Sequence, residues 1–340
     1  MVVLGGWCAS ACGPRREGAR PVGSWVRRNH PTGRAPHTGR MLHREVEIGS
    51  FLKARRAALD PAGLGLPSGL NRRRVRGLRR EEVAQLAAIS VDYYTRIEQG
   101  RAHAISASVL DAIARALRLT GGEVTYLRNV AALDRRAADG PAGGCAPAAG
   151  PGQTVRPEVR QLLDAMAGTV PATVIGRGLD ILAWNSLGAR VGFDLDGLAP
   201  GRRNSALLVF LDPAARALHP DWDRIAEETV GNLRAESGRH PEDPRICAVV
   251  GELLERSGDF RRVWEAQSVS ECLRGTKRIV HPRVGELHVT FETFRLTTDD
   301  DQILVTYSAP RGSVTESRLR ELAELPVPDV VATAGLEPVA

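Results

Sequence analysis

Between Arg80 and Gly100 the chain reads REEVAQLAAISVDYYTRIEQG, two short amphipathic runs joined by a very short turn, and this stretch narrows the possible folds most. In the first run Val83, Leu86 and Ala87 recur at helical spacing and are expected to face inward, with Glu81 and Glu82 in the first turn, where the helix dipole favours carboxylates. After the turn Ala88-Ile89, Ser90 is placed to cap a second helix, VDYYTRIEQ, and Gly100 to stop it. Ala84 is small where the second helix must cross the first, Ile89 is the apolar residue of the turn, and Ile97 seals the second helix onto a core.

The flanks supply further helices. Ile48, Phe51, Leu52 and Leu59 lie at helical spacings between Glu47 and Leu59, and Asp60-Pro61 ends that run. A loop with Gly63, Gly65, Pro67 and Gly69 leads into NRRRVRGLRR, which holds six Arg in ten residues and no acid and is too basic to be core. Two more helices are read from Ser108 to Leu117, with Val109, Leu110, Ile113, Ala114 and Leu117 on one face, and from Gly122 to about Leu133. The five helices predict one compact all-α domain over residues 44–133.

The span LRREEVAQLAAISVDYYTRIEQGR resembles the Xre-type helix-turn-helix regulators, the phage-repressor-like family, and the resemblance covers residues 47–133. It implies a lambda-repressor-like DNA-binding domain whose second motif helix lies in the major groove. Carried over residue by residue, Val91, Asp92, Thr95 and Arg96 then face the groove. Arg96 suits a bidentate contact with guanine, Asp92 a cytosine donor and Val91 a thymine methyl. Arg80 and Ser90, at the two helix starts, are implied phosphate binders that fix the register. Tyr94 is expected in the core. Arg56 and Glu98 fall where the family commonly has an ion pair between its first and third helices, a pair read as structural. Ala88 departs from the pattern: the family usually has Gly there, at positive φ, and another residue costs about 1 kcal/mol. Arg72, Arg73, Arg74 and Arg76 have two readings, phosphate contact and a merely solvated loop, of which the first is favoured. The motif is similar to an actinobacterial-type subgroup in which a ligand-sensing domain follows.

Charge supports a nucleic-acid partner only when it is counted by region. The formal net charge is +6, and residues 1–40, with seven Arg against Glu17, already account for it. Residues 41–80 carry nine Arg and one Lys against three acids, the electrostatic footprint of a DNA binder beside its motif. Residues 1–43, rich in Gly, Pro and Arg without periodicity, are expected to be disordered. Either Met41 is the true initiator or this tail is a basic arm that touches DNA. Five scattered cysteines form no C-x-x-C pair, which argues against a zinc site or a secreted disulfide framework and fits a reducing cytosol. No run approaches 18 apolar residues, so neither a transmembrane helix nor a membrane partner is expected.

At 340 residues the chain is long for one core, and two domains are expected. Residues 134–154 read as a Gly/Pro/Ala linker. Beyond it come a helix over Pro157 to Met166 and a hairpin in ATVIGRGLDILAWN. Helical stretches follow near 204–211, 221–236, 242–256 and 258–267, then strand-like runs in KRIVHPRVGELHVTFETFRL and QILVTYSA. These predict an α+β domain with a mainly antiparallel sheet over 155–325, followed by a disordered tail over 326–340.

LDILAWN, RRNSALLVFLDPAAR, HPDWDR and GTKRIVHPRVGELHVTFE resemble the MmyB-like ligand-binding domain. That resemblance implies a PAS-like fold enclosing a pocket for a small apolar molecule, such as one with a fatty acyl chain. An apolar pocket with a few convergent polar groups nominates Trp184, Asn185, Arg203, Asn204 and Trp222. Each also has a structural reading: the tryptophans as core anchors, Asn204 as a helix cap, Arg203 in a solvated salt bridge. Catalysis is disfavoured, because His219 with Asp221 and His281 with Glu286 lack a nucleophile elbow, a metal set or a phosphate loop. A module that binds a partner protein stays open, and an exposed apolar patch over a filled core would favour it. The expected assembly is a cytoplasmic homodimer on double-stranded DNA, without cofactor and without enzymatic activity.

Overall fold

The computed structural model describes residues 42–61, 77–102, 104–139, 153–269, 273–299 and 301–324. The expectations for residues 1–41, for Arg72, Arg73, Arg74 and Arg76, for linker residues 140–152 and for the C-terminal tail fall outside that set. Residues 42 and 43, expected in the disordered tail, instead begin the first helix, which no Gly or Pro interrupts between Met41 and Gly49.

The N-terminal part contributes α1 (Leu42–Ala58), α2 (Arg80–Leu86), α3 (Val91–Glu98), α4 (Ala107–Ala116) and α5 (Gly121–Asp139). Local chemistry sets their starts. Ser90 Oγ accepts from the Tyr93 amide at 3.1 Å and Ser106 Oγ from the Val109 amide at 3.3 Å, each satisfying a donor that the first helical turn leaves open. Thr120 and Glu123 bond reciprocally: the Thr120 amide donates to Glu123 Oε2 at 2.7 Å and the Glu123 amide to Thr120 Oγ1 at 3.4 Å. α5 runs beyond the expected end at Leu133, because DRRAAD contains no helix breaker before Gly140 and Pro141. Phe51, Leu52, Val83, Ala84, Tyr94, Ile97, Ile113 and Leu127 form a common core. Fully burying each of the larger apolar side chains is worth roughly 1.5–3 kcal/mol over leaving it exposed.

The C-terminal part is built on a five-stranded sheet of β1 (Ala172–Ile175), β2 (Ile181–Trp184), β3 (Arg274–His281), β4 (Gly285–Arg295) and β5 (Ile303–Ser308). The spatial order is β2-β1-β5-β4-β3 and every pairing is antiparallel. β1 and β5, far apart in sequence, are therefore neighbours, with Thr173 opposite Val305 and Ile175 opposite Ile303. Alternation assigns the faces. Ala172, Val174 and Leu304 point to one side, where Val159 and Leu163 of α6 (Pro157–Met166) cover them. Ile175, Val305, Tyr307 and Phe291 point to the other.

That second face is roofed by helices. α7 (Ser186–Val191), α8 (Ser205–Leu211), α9 (Ala215–Leu218), α10 (Trp222–Arg239), α11 (Pro244–Arg256) and α12 (Gly258–Glu265) follow the hairpin, and α13 (Val314–Glu324) closes the described chain. α10 packs in several directions. Val230 and Leu233 join Leu207, Val249, Leu253 and Phe260 in a core shared with α8, α11 and α12. Arg234 is fully buried, its guanidinium 3.8 Å from the Trp264 ring centroid and its Nη2 donating to the Trp264 carbonyl at 2.6 Å. Ala235 joins the core of the N-terminal helices. The expected helices and strands of this part are present; α7, α9 and α13 are additions to them.

Candidate DNA-reading surface and ligand cavity

α2, its turn and α3 present a helix pair whose exposed side is mainly polar but includes Val91 and Leu86; Leu86, expected to face inward, is 39% exposed, because Val83, Ala84 and Ala87 alone form the buried stripe of so short a helix. Ala84 and Ile97 are buried between the helices and the core, and Tyr94 is fully buried beside them. Val91, Asp92 and Arg96 are exposed and Thr95 is half-buried, so these four share the outer side of α3. The Ser90 oxygen caps α3. Ala88 adopts φ of 54°, a left-handed conformation forced by the tightness of the turn, and Gly100 ends α3 at φ of 70°.

The base of α3 is fixed by charge. Glu98, whose side chain is 1% exposed, accepts from Arg56 Nε and Nη2, each at 2.9 Å, and from Arg80 Nε at 3.0 Å and Nη2 at 2.8 Å. Arg56 Nη1 also donates to the Leu78 carbonyl at 2.7 Å. Burial works to raise the Glu98 carboxyl, but hydrogen bonds and charge from Arg56 and Arg80 outweigh it and hold the group below its ordinary value. Arg80 thus ties α2 to α3 while its side chain remains 41% exposed.

Between α10 and the inner face of β1, β5, β4 and β3 lies a cavity of about 180 Å³. Ile175, Phe291, Ile303, Val305 and Tyr307 floor it, and Ile225, Thr229, Asn232, Ala235 and Glu236 of α10 form its roof. Leu273 and Arg295, both exposed, stand in its wall, so solvent reaches it. Its carboxylates already have bases: Glu228 pairs with Arg224, Glu236 with Arg239, and Asp301 with Arg177 and His240. Lys277 differs. Its Nζ lies 4.7 Å from the Phe291 ring centroid and 6.0 Å from that of Tyr307, and no described carboxylate is within salt-bridge distance of it.

Two family models match the chain: a helix-turn-helix domain over residues 47–127 and the MmyB-like transcription regulator ligand binding domain over residues 155–322. The chain is a helix-turn-helix regulator with an MmyB-like ligand-binding domain. The comparison with curated proteins finds no match. In this regulator the exposed side of α3 belongs to the DNA-binding domain and the cavity to the ligand-binding domain. Among the described residues no helix is long and apolar enough to cross a membrane, and no group of three or more His, Cys, Asp or Glu is placed to hold a metal.

None of Trp184, Asn185, Arg203, Asn204 and Trp222 lines the regulator's cavity. Asn185 is buried and caps α7 through the Gly188 amide; its amide nitrogen donates to the Leu163 and Val170 carbonyls. Asn204, fully buried, caps α8 through the Ala206 and Leu207 amides and donates to Gly178 and Asp180. Trp222 is buried and donates to the Val209 carbonyl at 3.0 Å. Trp184 donates to Asp196 under the Arg203 guanidinium, which stands 5.0 Å from its ring. Arg203 Nε donates to the Leu195 carbonyl. The residues that do line the cavity, such as Lys277, Phe291 and Asn232, escaped sequence reasoning. Period-two alternation in β4 and β5 puts Phe291, Ile303 and Val305 on shared faces, yet no local signal says that α10 covers them.

Proposed function

We propose that this regulator binds a two-fold related operator as a homodimer and that a small, largely apolar ligand in the α10 cavity modulates it. The outward row of exposed Val91, Asp92 and Arg96 with half-buried Thr95, on a capped helix whose far end is locked by Glu98, is the observation that carries the DNA reading. Such a helix enters the major groove with its N-terminal residues against base edges. Arg80, with 41% of its side chain exposed, and Ser90 lie at the two helix starts, where phosphate contacts would set the register. Arg72, Arg73, Arg74 and Arg76 immediately precede them in sequence and add positive charge for phosphates. Two protomers would place their recognition helices in half-sites about 34 Å apart.

The ligand reading rests on the cavity. An apolar cavity of roughly 150 Å³ is large enough to hold a benzene molecule, so about 180 Å³ suits a single ring or a short chain. Lys277, a cation whose described partners are only two aromatic rings, suits an acidic group on an otherwise apolar body, and a short fatty-acid-like molecule is the simplest such compound. An antiparallel sheet with helices closing one face over a cavity supports the PAS-like reading of 155–325. The cavity also favours a sensor over a module that works by binding a partner protein. Selection of bound sequences from a random DNA library by the full chain tests the proposal. Enrichment of one motif with two-fold related halves about one turn apart is expected; recovery of unrelated sequences would contradict it.

A further inference from the structure

Ala235 occupies two places at once: it is buried in the core of the N-terminal helices, and it lines the cavity. Its neighbours on α10 divide in the same way. Thr229, Asn232 and Glu236 line the cavity. Gly238 lies against the Tyr126 ring of α5, so near that a Cβ there would stand 2.5 Å from Tyr126 Cδ2. Glycine inside a helix costs roughly 1 kcal/mol against alanine, and here its missing side chain is what lets α10 and α5 touch.

From Tyr126 the contacts continue to the DNA-reading helix. The Tyr126 ring meets Phe51 of α1 edge to face, centroids 5.1 Å apart. α1 then carries Arg55, whose Nη1 reaches Glu123 of α5 at 2.9 Å and whose Nη2 reaches the Ala266 carbonyl beyond α12 at 3.4 Å. The next residue, Arg56, holds Glu98 at the end of α3.

We infer that α10 is the element through which cavity occupancy acts on DNA binding: a ligand between the sheet and the Thr229–Glu236 segment displaces α10, and Ala235 and Gly238 pass the displacement to α5. The inference rests on the reading of the cavity as the ligand site. Close-packed interiors answer a wedge by shifting whole elements rather than by compressing, and helix shifts of about 1–2 Å at interfaces are the usual scale. The contact between Gly238 and Tyr126 leaves no slack to absorb one. The ligand acts only so far as it binds one placement of α10 better than the other.

Hydrogen exchange of the full chain, with and without sodium octanoate below its micellar concentration, tests this in wild type and in Gly238→Ala. In wild type, octanoate is expected to change protection in α10 and, by about fivefold or more, in α5. In Gly238→Ala, where the added methyl alters the contact with Tyr126, the α10 response is expected to persist and the α5 response to fall away. A wild-type response confined to α10 and the sheet, or an α5 response unchanged in Gly238→Ala, overturns the inference. If octanoate changes no segment of wild type, it is the fatty-acid reading of the cavity that fails. Thr293→Trp then supplies the wedge from the sheet side, with its folding checked by thermal unfolding. Altered α5 protection in that variant supports the route, and unaltered α5 protection overturns it.

Discussion

Arg96 is exposed on α3 one turn beyond Asp92, and its value depends on what its guanidinium meets. A bidentate fork on guanine discriminates bases, whereas a phosphate contact does not. Arg96→Ala is therefore expected to weaken binding to the selected operator by about 1–3 kcal/mol and to leave binding to random DNA nearly unchanged; equal losses in competition titrations would assign it to phosphate. Glu98, two residues on, is charge of a different kind. Removing its carboxylate leaves Arg56, whose side chain is only 12% exposed, without a counter-charge. Glu98→Gln is expected to cost about 3 kcal/mol in urea unfolding, and Arg80→Ala, at an exposed partner, less than about 1 kcal/mol; similar costs would contradict this division. His219 sets a pH dependence. Burial, helped by the charge of Lys277 and opposed by a hydrogen bond to the Arg278 backbone, pushes its imidazole down to about 4 from the ordinary 6.5. The unfolded ring takes up a proton near 6.5 and the folded ring does not until about 4, so stability falls as pH drops through that window. Between pH 7 and pH 5 the loss should be about 2 kcal/mol. His281, lowered mainly by burial, contributes in the same sense. His219→Gln should flatten most of this slope, and an unchanged slope would show that other groups set it.

Among the elements, the turn between α2 and α3 has the least freedom. Ala88 stays at φ of 54° because the turn allows nothing else, so Ala88→Gly is expected to stabilise the domain by about 0.5–1 kcal/mol, read as a rise in its unfolding midpoint. No gain would mean that the left-handed conformation costs little here. The same turn shows why this part was legible in sequence: Ser90, Ala84, Ile97 and Gly100 do their work within twenty residues of one another, where spacing alone reveals it. α6, α8 and α10–α12 were legible for a similar reason, since caps such as Asp243 and Ser257 sit beside apolar runs of helical period. α13 was not. Its buried positions Thr315, Leu319 and Leu322 are four and three apart, but only two of them are apolar and most of the rest of the helix is charged. Asn185 and Asn204 drew attention as polar groups beside apolar runs, and their polar atoms cap α7 and α8. The cavity gave no local sign, because its floor comes from strands far apart in the chain, Ile175 in β1 and Ile303 in β5, 128 positions later, that pair directly.

At the scale of the molecule, one helix, α10, touches the DNA-binding domain through Ala235 and Gly238 and roofs the cavity over the sheet. The arrangement has a function only if the exposed side of α3 recognises a sequence. Basic residues near the motif give any duplex some affinity, and that affinity falls steeply with salt as counterions are released. Specific recognition adds a tighter mode that random DNA cannot compete away, typically by 10³-fold or more. The most direct measurement is the binding of the full chain to DNA upstream of its own gene, titrated across salt concentrations with random DNA as competitor. The expected result is a complex that weakens steeply with salt yet survives excess random DNA. Loss of that complex to random competitor at every salt concentration, with this fragment and with library-selected sequences alike, would contradict it.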